Sequence, residues 1–250
     1  MIKLNGHIIT PTIFPDKTSQ VWKLPTDWFT PERNVILWEF ENEAEFLHVA
    51  QLKDLLAGHG KVYLDLPYLP YARQDKAVSN DATFAFNTFA KLLNTLEFDM
   101  VHAYDPHNFE LAKTLINNLV YVIPNPDRLL ADLNATIVFP DFGAAKRYDA
   151  KAYSDGIICD KDREPLTGVI RGVVVGCGTV KTRPYLIVDD ICDGGRTFIE
   201  VAKTLYAAGA TEVHLYISHG IFSKGLEPLR AAGIKRIFTR NGEVDAKIIA

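Results

Sequence analysis

The sequence predicts an α/β protein whose mainly parallel sheets are divided between two domains. Short apolar segments alternate with helix-like segments along nearly all of its 250 residues, which is typical of βαβ units. More strand candidates occur than a single sheet of a chain this long accommodates. Two prolines in the segment 123–127 interrupt both strand and helix, so they place the domain boundary there. We therefore expect an N-terminal domain of residues 1–124 and a C-terminal domain of residues 125–250.

The strands are predicted from short runs of apolar and β-branched residues, and the helices from apolar residues at helical spacing. Strands are expected at residues 7–14, 35–40, 61–66, 100–103, 120–123, 136–139, 156–159, 172–175, 185–188, 213–218 and 236–239. Helices are expected at residues 43–57, 83–96, 109–119, 127–133, 143–148, 197–208 and 223–232.

The composition excludes several classes of function. A net charge of −4 leaves no basic surface for nucleic acid or an anionic membrane. The three cysteines are odd in number and far apart, which argues against a disulfide framework and for a reducing compartment. No segment approaches the ~20 apolar residues that cross a membrane, and the start of the chain lacks the apolar core of a signal peptide. We therefore expect a cytoplasmic enzyme without nucleic-acid or membrane partners.

The most informative segment begins with the predicted strand 185–188. Asp189 and Asp190 follow it directly, at the position where open α/β sheets bind their ligands. Gly194 and Gly195 allow a turn whose amide groups point at an anion, and Thr197 opens a helix whose N-terminus favours phosphate. Two acids beside a phosphate loop indicate a phosphorylated sugar. The alternative is an ordinary acidic turn between a strand and a helix.

A second segment follows the predicted strand 61–66. Its prolines and tyrosines make it rigid, and it then presents Arg73, Gln74, Asp75 and Lys76 in succession. A guanidinium binds phosphate oxygens in a forked geometry, and a glutamine amide pairs with a purine edge. We interpret the segment as a nucleotide site, with a solvated polar loop as the alternative.

Two further strand ends carry candidate metal ligands. Asp105 and His107 lie two residues apart after one strand, and Asp141 follows another, so each can bind a divalent ion directly or through water. Lys146 and Arg147 follow Asp141, and a solvated helix face remains open as an alternative for both.

A basic run after the strand 156–159 contains Lys161 and Arg163. We interpret it as a mobile loop that closes over phosphates during phosphoryl transfer, although many such loops are simply solvated. His219 follows a further strand beside Gly220, which suggests a close backbone approach.

Together these motifs resemble those of the phosphoribosyl pyrophosphate synthetases, also called ribose-phosphate pyrophosphokinases. Residues 70–76 read Pro-Tyr-Ala-Arg-Gln-Asp-Lys, which is highly specific to that family, and residues 188–191 match its sugar-phosphate motif. Four more segments resemble family motifs in the same order, namely residues 105–107, 140–147, 160–163 and 218–223.

The resemblance implies two phosphoribosyltransferase-like, Rossmann-like domains, with the ATP-binding segment in the first and the ribose-phosphate loop in the second. It implies Mg²⁺-dependent transfer of the β,γ-pyrophosphoryl group of ATP to the 1-hydroxyl of ribose 5-phosphate. The products are phosphoribosyl pyrophosphate, which feeds nucleotide biosynthesis, and AMP. It also implies a homo-oligomer, at least a dimer.

The resemblance assigns roles residue by residue. The residues implied to bind ATP are Phe14, Asp16, Arg73, Gln74, Asp75 and His107, and those implied to hold Mg²⁺ are Asp105, His107 and Asp141. The residues implied to bind the ribose phosphate are Asp189, Asp190, Asp193, Gly194, Gly195, Arg196 and Thr197, and those implied to neutralise the transferred group are Lys161 and Arg163.

Three positions depart from the family pattern. Thr18 stands where the family has a glutamate near the adenine, Arg196 stands where the phosphate loop has a glycine, and the chain stops at Ala250 without the usual C-terminal helix. Arg196 raises the hypothesis that the sugar carries a diphosphate, as ADP-ribose does, in a reaction of NAD salvage. A phosphoribosyltransferase and a non-catalytic regulatory relative are the remaining alternatives.

Overall fold

The computed structural model describes residues 1–163 and 170–244, and it leaves out the side chains of residues 161–163 and 170–173. The chain divides into two compact units, Met1–Val122 and Ile123–Ala250. Each unit contains its own mainly parallel sheet, so the predicted α/β fold class is confirmed.

The first unit contains eight strands and three α-helices in its described residues. The strands are β1 (Ile2–Leu4), β2 (His7–Ile8), β3 (Thr12–Ile13), β4 (Ser19–Gln20), β5 (Arg33–Trp38), β6 (Lys61–Leu66), β7 (Met100–Tyr104) and β8 (Leu119–Val122). The helices are α1 (Glu45–Leu55), α2 (Ala85–Asn94) and α3 (Phe109–Leu115).

The second unit contains seven strands and four α-helices in its described residues. The strands are β9 (Thr136–Phe139), β10 (Ile157–Arg163), β11 (Ile170–Cys177), β12 (Pro184–Cys192), β13 (Glu212–Gly220), β14 (Ile234–Thr239) and β15 (Gly242–Glu243). The helices are α4 (Asp127–Leu133), α5 (Phe142–Arg147), α6 (Arg196–Ala207) and α7 (Glu227–Ala231). None of the helices in the described part of the chain has the length and hydrophobicity needed to span a membrane.

The first sheet has the strand order β2-β1-β5-β6-β7-β8, in which β5 to β8 are parallel. Buried and less buried residues alternate along β5 and β6, as expected for a sheet with one fully covered face. That face forms a core with the helices, in which Trp38, Leu64 and Phe86 are fully buried. The loops after β6 and β7 therefore start from a rigid edge.

The second sheet has the order β11-β10-β9-β12-β13-β14-β15. From β9 the chain continues to β10 on one side, whereas β12 to β14 lie on the other side. The strand order therefore reverses between β9 and β12. Open α/β sheets bind ligands at the carboxyl ends of the strands at such a reversal. The central strand β9 is buried along its whole length, so the reversal lies inside a rigid core.

Several predicted boundaries are wrong. The segment 7–14 forms two short strands, β2 and β3, instead of one. The strand predicted to end at residue 188 continues to Cys192, because β13 pairs with it up to Gly220. The run after residue 159 is not a loop but the end of β10, which pairs with β11. The helix predicted at 223–232 is limited to α7.

Candidate active site

The candidate site of the second unit starts at the carboxyl end of β12. The strand pairing between β12 and β9 ends at Ile187 and Val138. The pairing between β12 and β13 continues as far as Cys192. Asp189 and Asp190 therefore lie just beyond the last paired residue of β9, on a strand that is still hydrogen-bonded on its other side. The Asp190 amide donates a hydrogen bond to Asp189 Oδ1 at 2.9 Å.

The two carboxyl groups differ in their electrostatic environment. Burial raises the pKa of Asp189 well above its usual range, and the neighbouring charges of Asp190 and Asp141 raise it further. Asp190 instead has a cation beside it, because Arg147 Nη2 lies 3.6 Å from its Oδ2. The Arg147 and Asp190 side chains are only 7% and 4% exposed. The pair thus contains one carboxyl group beside a buried guanidinium and one whose pKa is raised by burial.

Asp141 stands at the end of β9, as the sequence predicts. Its side chain is the N-cap of α5, where Oδ1 accepts a hydrogen bond from the Ala144 amide at 3.0 Å. Burial, with the charge of Asp141, raises the pKa of the nearby Cys159 thiol to about 12. Asp141 therefore acts electrostatically on both Asp189 and Cys159, which places its charge close to the acid pair.

The donor set around Asp189 is compatible with Mg²⁺, since this ion prefers carboxylate oxygens and keeps several of its waters. A divalent cation would relieve the repulsion that raises the pKa of Asp189. Within the described residues, however, no group of three or more His, Cys, Asp or Glu side chains is arranged to hold a metal ion. The residues fit an ion that is held partly by water and substrate, and they do not form a closed protein cage.

The loop after β12 leads into α6 through Gly195. This residue has φ of +75°, and a Cβ atom at its position would lie 2.9 Å from Leu229 Cδ2. Both the backbone conformation and the contact therefore require glycine. Gly195 is the N-cap residue of α6 and has no side chain that could cap the helix. Such a helix start is a binding site for phosphate.

Sequence reasoning missed a cation beside this loop. A Cβ atom on Gly194 would lie 3.5 Å from Lys224 Cε and 4.0 Å from its Nζ, so the Lys224 side chain runs along the loop. The amides of Ile221 and Phe222 both donate to the Cys192 carbonyl, at 2.8 and 3.1 Å, and they fix the segment that carries Lys224. The only signal in the sequence was the position of Lys224 directly after the segment 218–223.

The remaining candidates of this segment form part of its frame. His219 lies on β13 opposite Ile191 and is 8% exposed. The close approach suggested at Gly220 is present, because the Phe222 ring lies where a side chain on Gly220 would be. Burial raises the pKa of the Cys192 thiol to about 12, so this cysteine is not poised as a nucleophile.

In the first unit, the segment 70–76 forms a tight turn after β6. The Gln74 amide donates to the Tyr71 carbonyl at 2.8 Å, and Arg73 and Gln74 are exposed. Asp75 Oδ2 accepts a hydrogen bond from Asn108 Nδ2 at 2.9 Å, and Asn108 is also the N-cap of α3. This contact joins the predicted nucleotide segment to the loop that carries Asp105 and His107.

Asp105 and His107 differ in their exposure to solvent. Asp105 is fully buried at φ of +41°, and its amide donates to the Val122 carbonyl at 2.8 Å. His107 is exposed. His102 Nδ1 lies 2.8 Å from Asp65 Oδ1 on the neighbouring strand, so this histidine is part of the sheet's own hydrogen bonding.

Phe14 and Asp16 lie on the β3–β4 hairpin. Asp16 Oδ1 accepts hydrogen bonds from the Thr18 amide at 3.0 Å and the Thr18 hydroxyl at 2.7 Å, and these bonds lower the pKa of Asp16. The residue that replaces the family glutamate, Thr18, therefore shapes the turn together with Asp16. A role for Phe14 and Asp16 in binding ATP stays a prediction.

Comparison with known proteins identifies the relatives of this chain. No family model matches it. It is 34% identical over 197 residues to ribose-phosphate pyrophosphokinase 4 of Saccharomyces cerevisiae, in an alignment that covers 74% of the chain and 60% of that protein. The chain is a relative of the ribose-phosphate pyrophosphokinases. The resemblance carried by the motifs is therefore confirmed, and the chain spans less than two thirds of the length of this relative.

The fold agrees with the same relationship. The phosphoribosylpyrophosphate synthetase of Mycobacterium smegmatis superposes with a TM-score of 0.72, covering 93% of this chain and 79% of that one, at 21% identity. This pyrophosphokinase relative therefore shares the phosphoribosyltransferase-type fold.

Lys161 and Arg163 are the residues that the resemblance makes catalytic. Their backbone lies in β10, where Lys161 stands opposite Val173 and Arg163 opposite Ile170 of β11. Their side chains are outside the part of the chain that the structure describes, so their role in this pyrophosphokinase relative stays a prediction.

Proposed function

We propose that the protein transfers the β,γ-pyrophosphoryl group of ATP to the 1-hydroxyl of a 5-phosphorylated ribose and releases AMP. The observation that carries this proposal is the position of the acid pair Asp189 and Asp190 directly before the glycine-started helix α6, at the reversal of the strand order. The first amides of α6 suit the 5-phosphate, and the acid pair suits the ribose hydroxyls.

The different environments of the two acids suit a ligand with two adjacent hydroxyl groups. Asp190, which lies beside Arg147, accepts a hydrogen bond from one hydroxyl. Asp189 both donates and accepts while it holds its proton, and it becomes a second acceptor when a cation binds. The pair therefore orients the sugar ring so that its 1-hydroxyl is available for attack on the β-phosphorus.

ATP would be bound by Arg73, Gln74, Asp75 and His107, with Phe14 and Asp16 nearer the adenine. Mg²⁺ ions bound at Asp105 and His107 in the first unit and at Asp141 in the second would supply charge neutralisation on the phosphate oxygens. Lys161 and Arg163 would neutralise the charge that builds up on the transferred group. Such transfers depend on positioning and electrostatics more than on covalent chemistry, so these cations are the catalytic residues we propose.

The test is AMP formation by the purified protein with MgATP and ribose 5-phosphate, with the products separated by chromatography. We expect equal amounts of AMP and phosphoribosyl pyrophosphate. Formation of a nucleotide from phosphoribosyl pyrophosphate and a free base, without AMP from ATP, would show a phosphoribosyltransferase instead. A protein that forms neither product but changes the rate of an active synthetase would be a regulatory relative.

ADP-ribose is the second candidate acceptor, and one structural observation favours it. Arg196 opens α6 beside the loop, and Lys224 runs along Gly194, so two cations flank the predicted phosphate site. A diphosphate substituent carries enough negative charge to interact with both cations. Use of ADP-ribose would place the same chemistry in NAD salvage. The same assay with ADP-ribose in place of ribose 5-phosphate distinguishes the two acceptors.

We also propose that the protein is a cytoplasmic homo-oligomer, at least a dimer, as the resemblance implies. Sedimentation velocity across a range of protein concentrations measures this directly. A single monomeric species throughout the range would contradict the proposal.

A further inference from the structure

A pocket of about 330 Å³ opens in the first unit next to the segment 70–76. Its walls include four aromatic rings, those of Phe40, Phe46, Tyr71 and Phe89. Ring centroids are 5.1 Å apart for Tyr71 and Phe89, 6.2 Å for Phe46 and Phe89, and 6.3 Å for Phe40 and Tyr71. The fully buried ring of Trp38 packs against the rings of Phe40, Phe46 and Phe89. The pocket is therefore lined by a packed cluster of aromatic rings.

One carboxylate lines this pocket. Among the described residues that line the pocket, Glu43 is the single charged side chain, and the others are apolar, aromatic, threonine or alanine. The Tyr71 hydroxyl donates a hydrogen bond to Glu43 Oε1 at 2.7 Å. Burial raises the pKa of Tyr71 to about 12, and the Glu43 carboxylate contributes, so the phenol stays neutral. A carboxylate can accept several hydrogen bonds, so the bond from Tyr71 leaves other lone pairs of the Glu43 carboxylate available to a ligand.

The backbone also indicates a constrained site. Tyr71 has φ of +62°, which is unfavourable for a bulky residue and persists only when the surroundings enforce it. The ring contacts with Phe40 and Phe89 and the bond to Glu43 supply this constraint. The strained turn therefore holds the Tyr71 ring as one wall of the pocket.

We propose that this pocket binds an organic cation, an ammonium group with apolar substituents. The faces of aromatic rings attract cations, and several rings around one carboxylate form the arrangement that recognises substituted ammonium groups. An anion would be repelled by Glu43, and a neutral apolar ligand would desolvate the carboxylate without compensation. The ligand therefore differs in charge from ATP and from sugar phosphates. Tyr71 belongs to the segment 70–76, but none of the described residues proposed to bind ATP or the sugar lines the pocket.

The experiment compares choline with its uncharged isostere 3,3-dimethylbutan-1-ol, by saturation-transfer difference NMR titration of the whole protein. We expect choline to bind on the order of tenfold more tightly than the alcohol. Glu43→Gln keeps an acceptor for the Tyr71 hydroxyl but removes the charge, and it should weaken choline binding by a similar factor. The matched control Glu97→Gln changes the net charge equally at an exposed glutamate outside the pocket, and it should leave choline binding unchanged.

Phe40→Leu is a second variant that removes one ring and keeps the charge. It should weaken choline more than the alcohol. Equal affinities of the two ligands for the wild-type protein, no binding of choline, or equal effects of Glu43→Gln and Glu97→Gln would each overturn the proposal. Because binding is measured without ATP or sugar, these results are independent of the proposed enzymatic activity.

Discussion

Arg147 and Asp190 form a buried ion pair in the second unit, with Nη2 and Oδ2 3.6 Å apart. Arg147 ends the short helix α5, which follows β9, and Asp190 lies on β12, which is the next strand in the sheet. The contact therefore links the helix that follows β9 to β12, across the reversal of the strand order. It also places a cation beside one of the two adjacent acids, while burial and charge repulsion raise the pKa of the other, Asp189.

Arg147→Met should be strongly destabilising, because it leaves the Asp190 carboxylate buried without its cation. Loss of one partner of a buried pair typically costs roughly 3–5 kcal/mol, whereas removing both charges costs much less. The double variant Arg147→Met with Asp190→Asn should therefore recover much of the loss. Urea unfolding gives the free energy of unfolding of the wild type, the single variant and the double variant. A double variant no more stable than Arg147→Met would contradict this account.

Gly195→Ala should destabilise the second unit by more than an ordinary glycine substitution. The added Cβ meets both the positive φ and Leu229 Cδ2 at 2.9 Å. Gly225→Ala is the matched control, since its φ is +67° and nothing lies within 4 Å of the added atom. We expect the control to cost about 1 kcal/mol and Gly195→Ala at least about 2 kcal/mol, measured by urea unfolding. Equal losses would mean that Leu229 moves aside.

Arg196→Gly and Lys224→Ala test which sugar the protein uses. If the acceptor carries a diphosphate, each change should lower kcat/KM for ADP-ribose by roughly tenfold or more, with a smaller effect on ribose 5-phosphate. Lys203→Ala, at an exposed position of α6 paired with Glu200, is the control and should change neither value. An equal loss with both sugars would discard the diphosphate hypothesis.

Lys161→Ala should lower kcat strongly while ATP still binds. Removal of a group that stabilises charge in the transition state typically lowers kcat by a factor on the order of 100–1,000. Rapid-quench kinetics gives the chemical step, and equilibrium binding of ATP gives the affinity. Lys151→Ala, at an exposed lysine in the 3₁₀ turn Ala150–Ala152, is the control. Unchanged turnover of Lys161→Ala would remove this residue from the mechanism.

The predictable parts of the fold are those set by local pattern. The predicted bounds of β6, α4 and β9 agree with the structure. Buried apolar residues define β6 and β9, whereas α4 packs its partly buried Leu129, Leu130 and Leu133 against the core. The extension of β12 through Asp189 was not predictable locally, since pairing with the distant strand β13 stabilises it. The same holds for the site. Motif order located the acid pair, but the burial of Arg147 and the approach of Lys224 to Gly194 depend on contacts between distant segments.

The stability of the first unit should depend on pH through Glu45, a buried residue at the start of α1. Burial alone would raise the pKa of Glu45. Hydrogen bonds from the Glu41 amide at 2.8 Å and the Trp38 indole at 2.9 Å, together with the Met1 ammonium at 2.9 Å, outweigh it, so the pKa lies below its ordinary value of 4.5. A lowered folded-state pKa contributes stability above the ordinary value, and this contribution is lost as pH falls through the folded-state pKa. Glu45→Gln should therefore cost roughly 1–3 kcal/mol at neutral pH and progressively less in acid, measured by urea unfolding across that range. Glu97→Gln, at an exposed glutamate, serves as the control. A cost of Glu45→Gln that stays constant with pH would show that its carboxylate charge is not what the Trp38 indole and the Glu41 amide stabilise.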